Sequence, residues 1–441
     1  MASEAKWLKM TPCVVGRLQE SVKGCNHIHC LSDELVMEIL RRLPNCKSVL
    51  KCRSVCKRWA TLSSIPWFIA QFIDLRFGGR VPDISDNKHQ TFAIVMWYKP
   101  DNWRKLWQGS ESFFRPSMFN TQDSSFSPFQ CLGVDNTSAT LVASWNDLLL
   151  YSRHEKDKKY DFYIGNAQTK QWAQLPSPPY YYGRVLCFGL ICDPFYSCER
   201  EIVVNVAYRY SVVVIRQTSR PLTKFTAHVL SSTNRGGIQW KDRVLSLPQT
   251  CSFTGSSCSF CFDEKLYFPC REGIFGFNQD SIEFDEEIQC HLVKWPVMSF
   301  GLDRVSVSKE NLTVSQLGDN ATLRIWVLKD YKTSNWMLQH RIEIRDWVSP
   351  RKSWITKKLE KFSQLWNVYV LGFHPSKSEV IYMLVPGYIL LCNLTTKTIE
   401  LACRIPVAVA QRCKHYLSQT YDFPVMLQSW PTPLPRLSVG H

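Results

Sequence analysis

The sequence predicts two unlike parts: a small all-α helical module near the N-terminus, then a large all-β domain built as a β-propeller of about six or seven blades. Three observations lead there. Apolar residues recur at helical spacing between Leu31 and Phe72. From about Phe92 onward that period fades, and short runs rich in Val, Ile, Leu, Tyr, Phe and Trp alternate with Gly, Asp, Asn, Ser and Pro turns. Those runs also repeat, several times, as a three-strand pattern.

Residues 1–30 show no sustained period and read as a flexible tail. Cys25, His27, His29 and Cys30 sit together there, but four donors within six residues are too tight for paired zinc knuckles, so no metal is expected. The lone Cys258–Cys261 pair has no second pair and reads as strand.

The module follows, over residues 31–75. Leu35, Val36, Ile39, Leu40 and Leu43 form one stripe, while Asp33, Glu34, Glu38, Arg41 and Arg42 take the other side. Ser32 is the expected N-cap, the acids behind it suit the positive end of the helix dipole, and Pro44 forces a break. A second helix is expected with Val49, Cys52, Val55, Cys56, Trp59 and Leu62 on its apolar face, closed by Pro66. Its polar side carries Lys47, Lys51, Arg53, Lys57 and Arg58, a surface suited to an acidic partner. A unit this small leans on a neighbour or offers its apolar side to a partner's groove.

After a linker over residues 76–90 the β domain is expected to occupy 91–441. Strands are predicted at Thr91–Tyr98, Asp147–Ser152, Asp161–Gly165, Glu201–Ala207, Ser211–Arg216, Lys265–Pro269, Gly273–Asn278, Ala321–Leu328, Glu379–Val385 and Tyr388–Asn393. Four stretches, beginning near Asn146, Glu264, Glu310 and Ser378, share the order strand, polar turn, strand ending near Asn or Asp, strand with Trp or Leu. A second echo joins FGLICDPFYSCEREIVVNV to LGFHPSKSEVIYMLV. Repeats of about 40–50 residues with three or four strands each suit a propeller, because a blade buries its two faces only between other blades. A β-sandwich, or two smaller β domains, is the structural alternative.

The composition narrows function. Hydrophobic residues make up 45% of 441, with 16 Trp, 17 Tyr and 24 Phe, enough for a packed core. No apolar run reaches the roughly 18–20 residues a membrane span needs, and the first twenty residues lack a secretory signal's apolar stretch. The 18 cysteines are then expected as thiols, and the location as nucleus or cytoplasm. The formal charge of +15 is scattered and comes with no nucleic-acid-binding motif. There is no phosphate loop, nucleophile elbow, His-Glu-x-x-His or dinucleotide fingerprint, so neither catalytic residues nor a cofactor are expected. His374, before Pro375, and Asp193 hold matching turn positions in two repeats. Glu283, Asp285, Glu286 and Glu287 read as a solvated loop, and Tyr180–Tyr182 as a packed turn.

The module resembles an F-box. The matching positions are Leu31, Glu34, Ile39-Leu40, Leu43-Pro44, Val55-Cys56-Lys57-Arg58-Trp59 and Leu62, with Ser32 where that family usually has Pro. The β domain, through Thr169-Lys170-Gln171-Trp172 and Asp193-Pro194, resembles the F-box-associated, kelch-like domain of plant F-box proteins. Kelch repeats carry a Gly-Gly pair, however, and here that pair occurs only at Gly78-Gly79 and Gly236-Gly237. The resemblance implies a non-catalytic substrate-recognition subunit of an SCF-type ubiquitin ligase. Leu31, Leu35, Ile39, Leu40, Leu43, Pro44, Val55 and Trp59 would dock an acidic Skp-family adaptor, which links to a cullin. The β domain would bind a target protein. The alternatives are a non-degradative scaffold or transcriptional cofactor, and a basic nucleic-acid-binding β protein.

Overall fold

The computed structural model describes residues 30–77, 91–98, 110–114, 139–154, 160–166, 169, 171–178, 184–196, 205–217, 223–231, 238–253, 257–262, 265–278, 280–281, 285–297, 302–308, 311–318, 321–349, 354–357, 368–374, 377–385, 387–404, 420–427, 432 and 434. Cys25, His27 and His29, most of the 76–90 linker, both Gly-Gly pairs, Tyr180–Tyr182 and Glu283 lie outside them.

The module has four helices: α1 (Asp33–Arg41), α2 (Cys46–Cys52), α3 (Lys57–Leu62) and α4 (Pro66–Phe77). Ser32 caps α1 as expected, its hydroxyl accepting from the Leu35 N–H at 3.4 Å. Asn45 caps α2, accepting from the Ser48 N–H at 2.9 Å. The single second helix of the sequence reading is two short ones. Ser54 ends α2 by donating its hydroxyl to the Lys51 carbonyl at 2.7 Å, and the chain turns through Val55 before α3 starts. Pro66 does not close the unit; it opens α4. Proline lacks only an N–H that a first helical turn leaves unused, so its fixed φ favours a helix start. Phe68, Ile69 and Phe72 of α4 then complete a core with Val36, Leu40, Val49, Trp59 and Leu62.

Among the described residues the β domain shows five blades and a closing sheet. β1 (Thr91–Tyr98) and β2 (Ser110–Phe114) come first. Blade 1 is β3 (Ala139–Trp145), β4 (Leu148–His154), β5 (Tyr160–Asn166) and β6 (Trp172–Gln174). Blade 2 is β7 (Arg184–Tyr196), β8 (Asn205–Gln217), β9 (Lys224–Ser231) and β10 (Gln239–Ser246). Next, β11 (Ser257–Cys258) adds in parallel to β7. Blade 3 is β12 (Phe260–Phe262), β13 (Lys265–Pro269), β14 (Gly273–Asn278) and β16 (His291–Lys294), while β15 (Glu287–Gln289) crosses to pair in parallel with β10. Blade 4 is β17 (Leu302–Ser308), β18 (Asn311–Leu317), β19 (Thr322–Asp330) and β20 (Asn335–Glu343). Blade 5 is β21 (Tyr369–Phe373), β22 (Val380–Val385), β23 (Tyr388–Asn393) and β24 (Thr398–Arg404). The last strand, β25 (Thr420–Leu427), returns to pair with β1, so the closing sheet runs β2-β1-β25. Against the six or seven blades expected, the described residues form five complete ones and this three-stranded sheet.

Side-chain alternation shows why this is a propeller and not a sandwich. Val212 and Val214 of β8 pack with Leu148, Leu150, Phe162 and Ile164 of blade 1. Their neighbours Val213 and Ile215 pack the opposite way, with Leu266, Phe268, Phe275 and Phe277 of blade 3. Tyr267 and Ile274 in turn meet Leu312 and Leu328 of blade 4. Leu323 and Ile325 meet Ile381 and Met383 of blade 5. Each middle strand is therefore apolar on both faces, and burying one such side chain stabilises by roughly 1.5–3 kcal/mol. β25 lies beside both β3 and β21, which closes the ring. A buried polar clasp adds to the closure: Asp147 Oδ2 accepts from the Thr432 N–H at 2.8 Å and from Asn166 Nδ2 at 2.7 Å.

Three further expectations change. The predicted strands 201–207 and 211–216 meet in one, β8, which runs unbroken from Asn205 to Gln217; residues 201–204 lie outside the described residues. Asp193 lies within β7, paired with Arg209, not in a turn. Glu287 is not in a solvated loop but on β15, where it accepts from the Ser246 hydroxyl at 2.5 Å and from Lys224 Nζ at 3.0 Å.

Candidate functional site

The module offers more apolar surface than its own core consumes. On α1, Val36 and Leu40 face inward and are fully buried, while Leu35 and Ile39, one residue earlier in each turn, are 53% and 42% exposed. Spacing of four residues stacks Leu35 and Ile39 on one outward strip. Pro44 is exposed and Val55, in the α2–α3 turn, is 56% exposed. Leu31 and Leu43 are half-buried against the core. Leu40 and Trp59 are not available to a partner as placed: both belong to the module's own core, where a four-helix unit this small needs them.

Two features escaped the sequence reading. Trp67 and Leu75 of α4 are 60% and 53% exposed, and reading Pro66 as a first helical residue would have found them. Arg58, assigned only to a basic face, reaches back to α1: its Nε donates to Asp33 Oδ1 at 2.7 Å and its Nη2 to the Leu31 carbonyl at 2.6 Å. The start of the exposed strip is thereby tied to α3. Glu38 bonds Arg42 at 2.6 Å and also Arg41, and these guanidinium groups hold its carboxyl below the usual range. The Glu34 carboxyl is lowered by its own backbone N–H and by Ser32. Lys51 and Lys57 remain exposed on α2 and α3.

In the propeller, hairpin turns between third and fourth strands repeat one device. Asn166, Asp330 and Asn393 each end a strand and accept from backbone N–H groups two or three residues on: Thr169, Lys332, and both Thr395 and Thr396. Four residues after the Asx, Ser334 and Lys397 take φ of 55° and 53°. The Thr169-Lys170-Gln171-Trp172 signature is one instance of this turn. Cys258 and Cys261 fall on two different strands, β11 and β12.

Comparison with known proteins bears on both regions. The sequence profile of a family described as F-box protein At3g26010-like, beta-propeller, matches residues 114–424, well over half of the chain. The chain belongs to that family. An F-box domain profile also matches, over residues 28–70, the helical module. Two Arabidopsis thaliana proteins are similar along most of their lengths. F-box protein At5g49610 is 26% identical over 326 residues, 71% of this chain and 79% of its own. The putative F-box/kelch-repeat protein At1g15680 is 22% identical over 409 residues, 90% of each. A puromycin-hydrolyzing peptidase of Mycobacterium tuberculosis matches 60% of this chain and 37% of its own at 12% identity and a TM-score of 0.35, too little to carry an inference. The molecule is thus an F-box β-propeller protein, with its exposed apolar strip on the F-box.

Proposed function

We propose that this F-box protein is a non-catalytic substrate-recognition subunit of an SCF-type ubiquitin ligase. Residues 31–75 dock a Skp-family adaptor, and through it a cullin, while the propeller within residues 91–441 holds a target protein. The observation that carries this reading is the exposed strip of Leu35 and Ile39 on a module whose core is already filled from within by α4. Water-exposed leucine and isoleucine at helical spacing are suited to a partner's apolar groove, and exposed Lys51 and Lys57 complement an acidic adaptor. The docking set is then Leu35, Ile39, Pro44 and Val55, edged by Leu31 and Leu43; Leu40 and Trp59 support it from beneath.

No bond is made or broken by this chain. It acts by holding the target at high effective concentration beside the charged ubiquitin-conjugating enzyme, turning a bimolecular encounter into a positioned one. We propose the nucleus or cytoplasm as the place where it works. The test is copurification of the full chain with a Skp-family adaptor, with and without the Leu35→Asp/Ile39→Asp pair. A stoichiometric complex lost in the folded double variant supports the reading. Folded wild-type chain that ignores the adaptor, or a double variant that binds equally well, overturns it.

A further inference from the structure

Between blades 2 and 3 lies a cluster of donors that adaptor docking does not use. Cys251 follows β10, Cys270 closes β13, and Glu272 stands in the tight β13–β14 connection. Their ligand atoms all lie within 4.8 Å of one another. Both cysteines are buried, Glu272 is half-buried, and Cys290, between β15 and β16, belongs to the same buried core. This is the seam where β15 crosses from one blade to pair with the other.

The surrounding backbone is built to hold these groups. The Cys270 N–H donates to the Gly273 carbonyl at 2.8 Å, and the Arg271 N–H to the Ser252 carbonyl at 2.9 Å, which pins the blade 3 hairpin to the segment leaving blade 2. Glu272 is aimed by Ser252, accepting from its N–H at 2.8 Å and its hydroxyl at 2.5 Å. Each carboxylate oxygen accepts one such bond and keeps a lone pair. At Gly273 a Cβ would meet the Val293 carbonyl oxygen at 2.2 Å, so the residue after Glu272 is held against β16 by close backbone approach. Outer-sphere bonds of this kind orient ligands in metal sites.

Apolar packing alone gives no reason to bring a carboxylate in from solvent to face two buried thiols. A borderline-soft divalent cation does: it takes thiolate sulfur and carboxylate oxygen together, in a tetrahedral set. We propose that Cys251, Cys270 and Glu272 form a structural three-donor site for a divalent cation of the zinc class. The cation staples blade 2 to blade 3. Its donors are spread over some twenty residues and include only one carboxylate and two cysteines, which is why no paired-knuckle spacing marks it in the sequence.

The test uses the full chain, purified under reducing conditions, and Zn2+ or Co2+ alone as probes. The expected result is stoichiometric zinc by elemental analysis and a raised Tm with zinc over chelator. Co2+ should give intense d–d bands and a thiolate charge-transfer band. Glu272→Gln should weaken cobalt binding while keeping the charge-transfer band, and Cys251→Ser should reduce that band to about half its intensity. If either variant fails to fold, the wild-type cobalt spectrum decides by itself. A folded wild-type chain without those bands and with no zinc-dependent Tm overturns the proposal. So does a Cys251–Cys270 disulfide found by mass in freshly made protein.

Discussion

The F-box and the propeller handle apolar surface in opposite ways. Of ten large hydrophobic residues exposed among the described residues, five (Leu35, Ile39, Val55, Trp67 and Leu75) fall within the short F-box. The other five, Trp172, Val244, Met337, Leu338 and Val348, are spread across a region several times longer. The propeller turns both faces of its middle strands inward: β22 is buried at every position, and β14 at all but its last. The F-box cannot do this, because a single layer of short helices has one inside. Its surplus stays on the surface, whereas the propeller's apolar content is packed within the ring.

The largest expected effect comes from crossing the F-box's own division. Trp59→Ala empties a core position and should destabilise the F-box by roughly 3–5 kcal/mol, seen as loss of amide-exchange protection across α1–α4. Leu35→Asp with Ile39→Asp touches only the outward strip. It should leave that protection unchanged while weakening adaptor binding by about 2–4 kcal/mol, read by calorimetry. Equal loss of protection in both would erase the distinction between core and docking surface.

That distinction was only half legible in the sequence. The α1 pattern marks Leu35, Val36, Ile39 and Leu40 alike as apolar, and only the packing of α4 decides which pair faces inward. Because α4 begins at Pro66, the residue read as an end, the deciding element was hidden. In the propeller, strands with two buried faces announced themselves: Lys265–Pro269, Gly273–Asn278 and Tyr388–Asn393 coincide with β13, β14 and β23. Outer strands did not. β10 and β20 are exposed along half or more of their length and read QWKDRVLS and NWMLQHRIE, too polar to register. Each repeat seen in the sequence holds the second to fourth strands of one blade, and the second echo is the hairpin of first and second strands, β7–β8 and β21–β22. The exchange of β11 and β15 rests on two- and three-residue strands, below any sequence signal.

Mild acid should separate the regions next. Burial, with Lys377 nearby, pushes the His374 pKa down to about 4 despite the opposing Glu379. The unfolded chain protonates this imidazole as pH falls through its ordinary value of 6.5, while the folded chain resists until about 4. Stability is therefore full above the higher value, is lost between the two, and levels off below. Part exposure to solvent holds the loss to roughly 2 kcal/mol. His228 and His340 are lowered by burial too, so His374→Gln should flatten only part of the slope. The F-box shifts act in a lower window: Glu34 and Glu38 are lowered carboxylates, whose stabilisation is full above their ordinary value of 4.5 and is lost as pH falls below it. Unfolding followed from pH 7 to pH 4 should weaken the propeller first.

The smallest effect asks whether there are two regions at all. Asn45 and Asn393 do the same chemistry in different places, each accepting backbone N–H bonds with its side-chain oxygen: Asn45 from Ser48, Asn393 from Thr395 and Thr396. Alanine at either site should cost about 1 kcal/mol. If the F-box and the propeller unfold separately, Asn45→Ala shifts only the transition that reports α1–α4, and Asn393→Ala only the one that reports the blades. A single transition moved equally by both would mean that the helices draw stability from the ring. The exposed strip would then be held by the propeller as well as by α4, and damage to a blade turn would weaken adaptor binding at a distance.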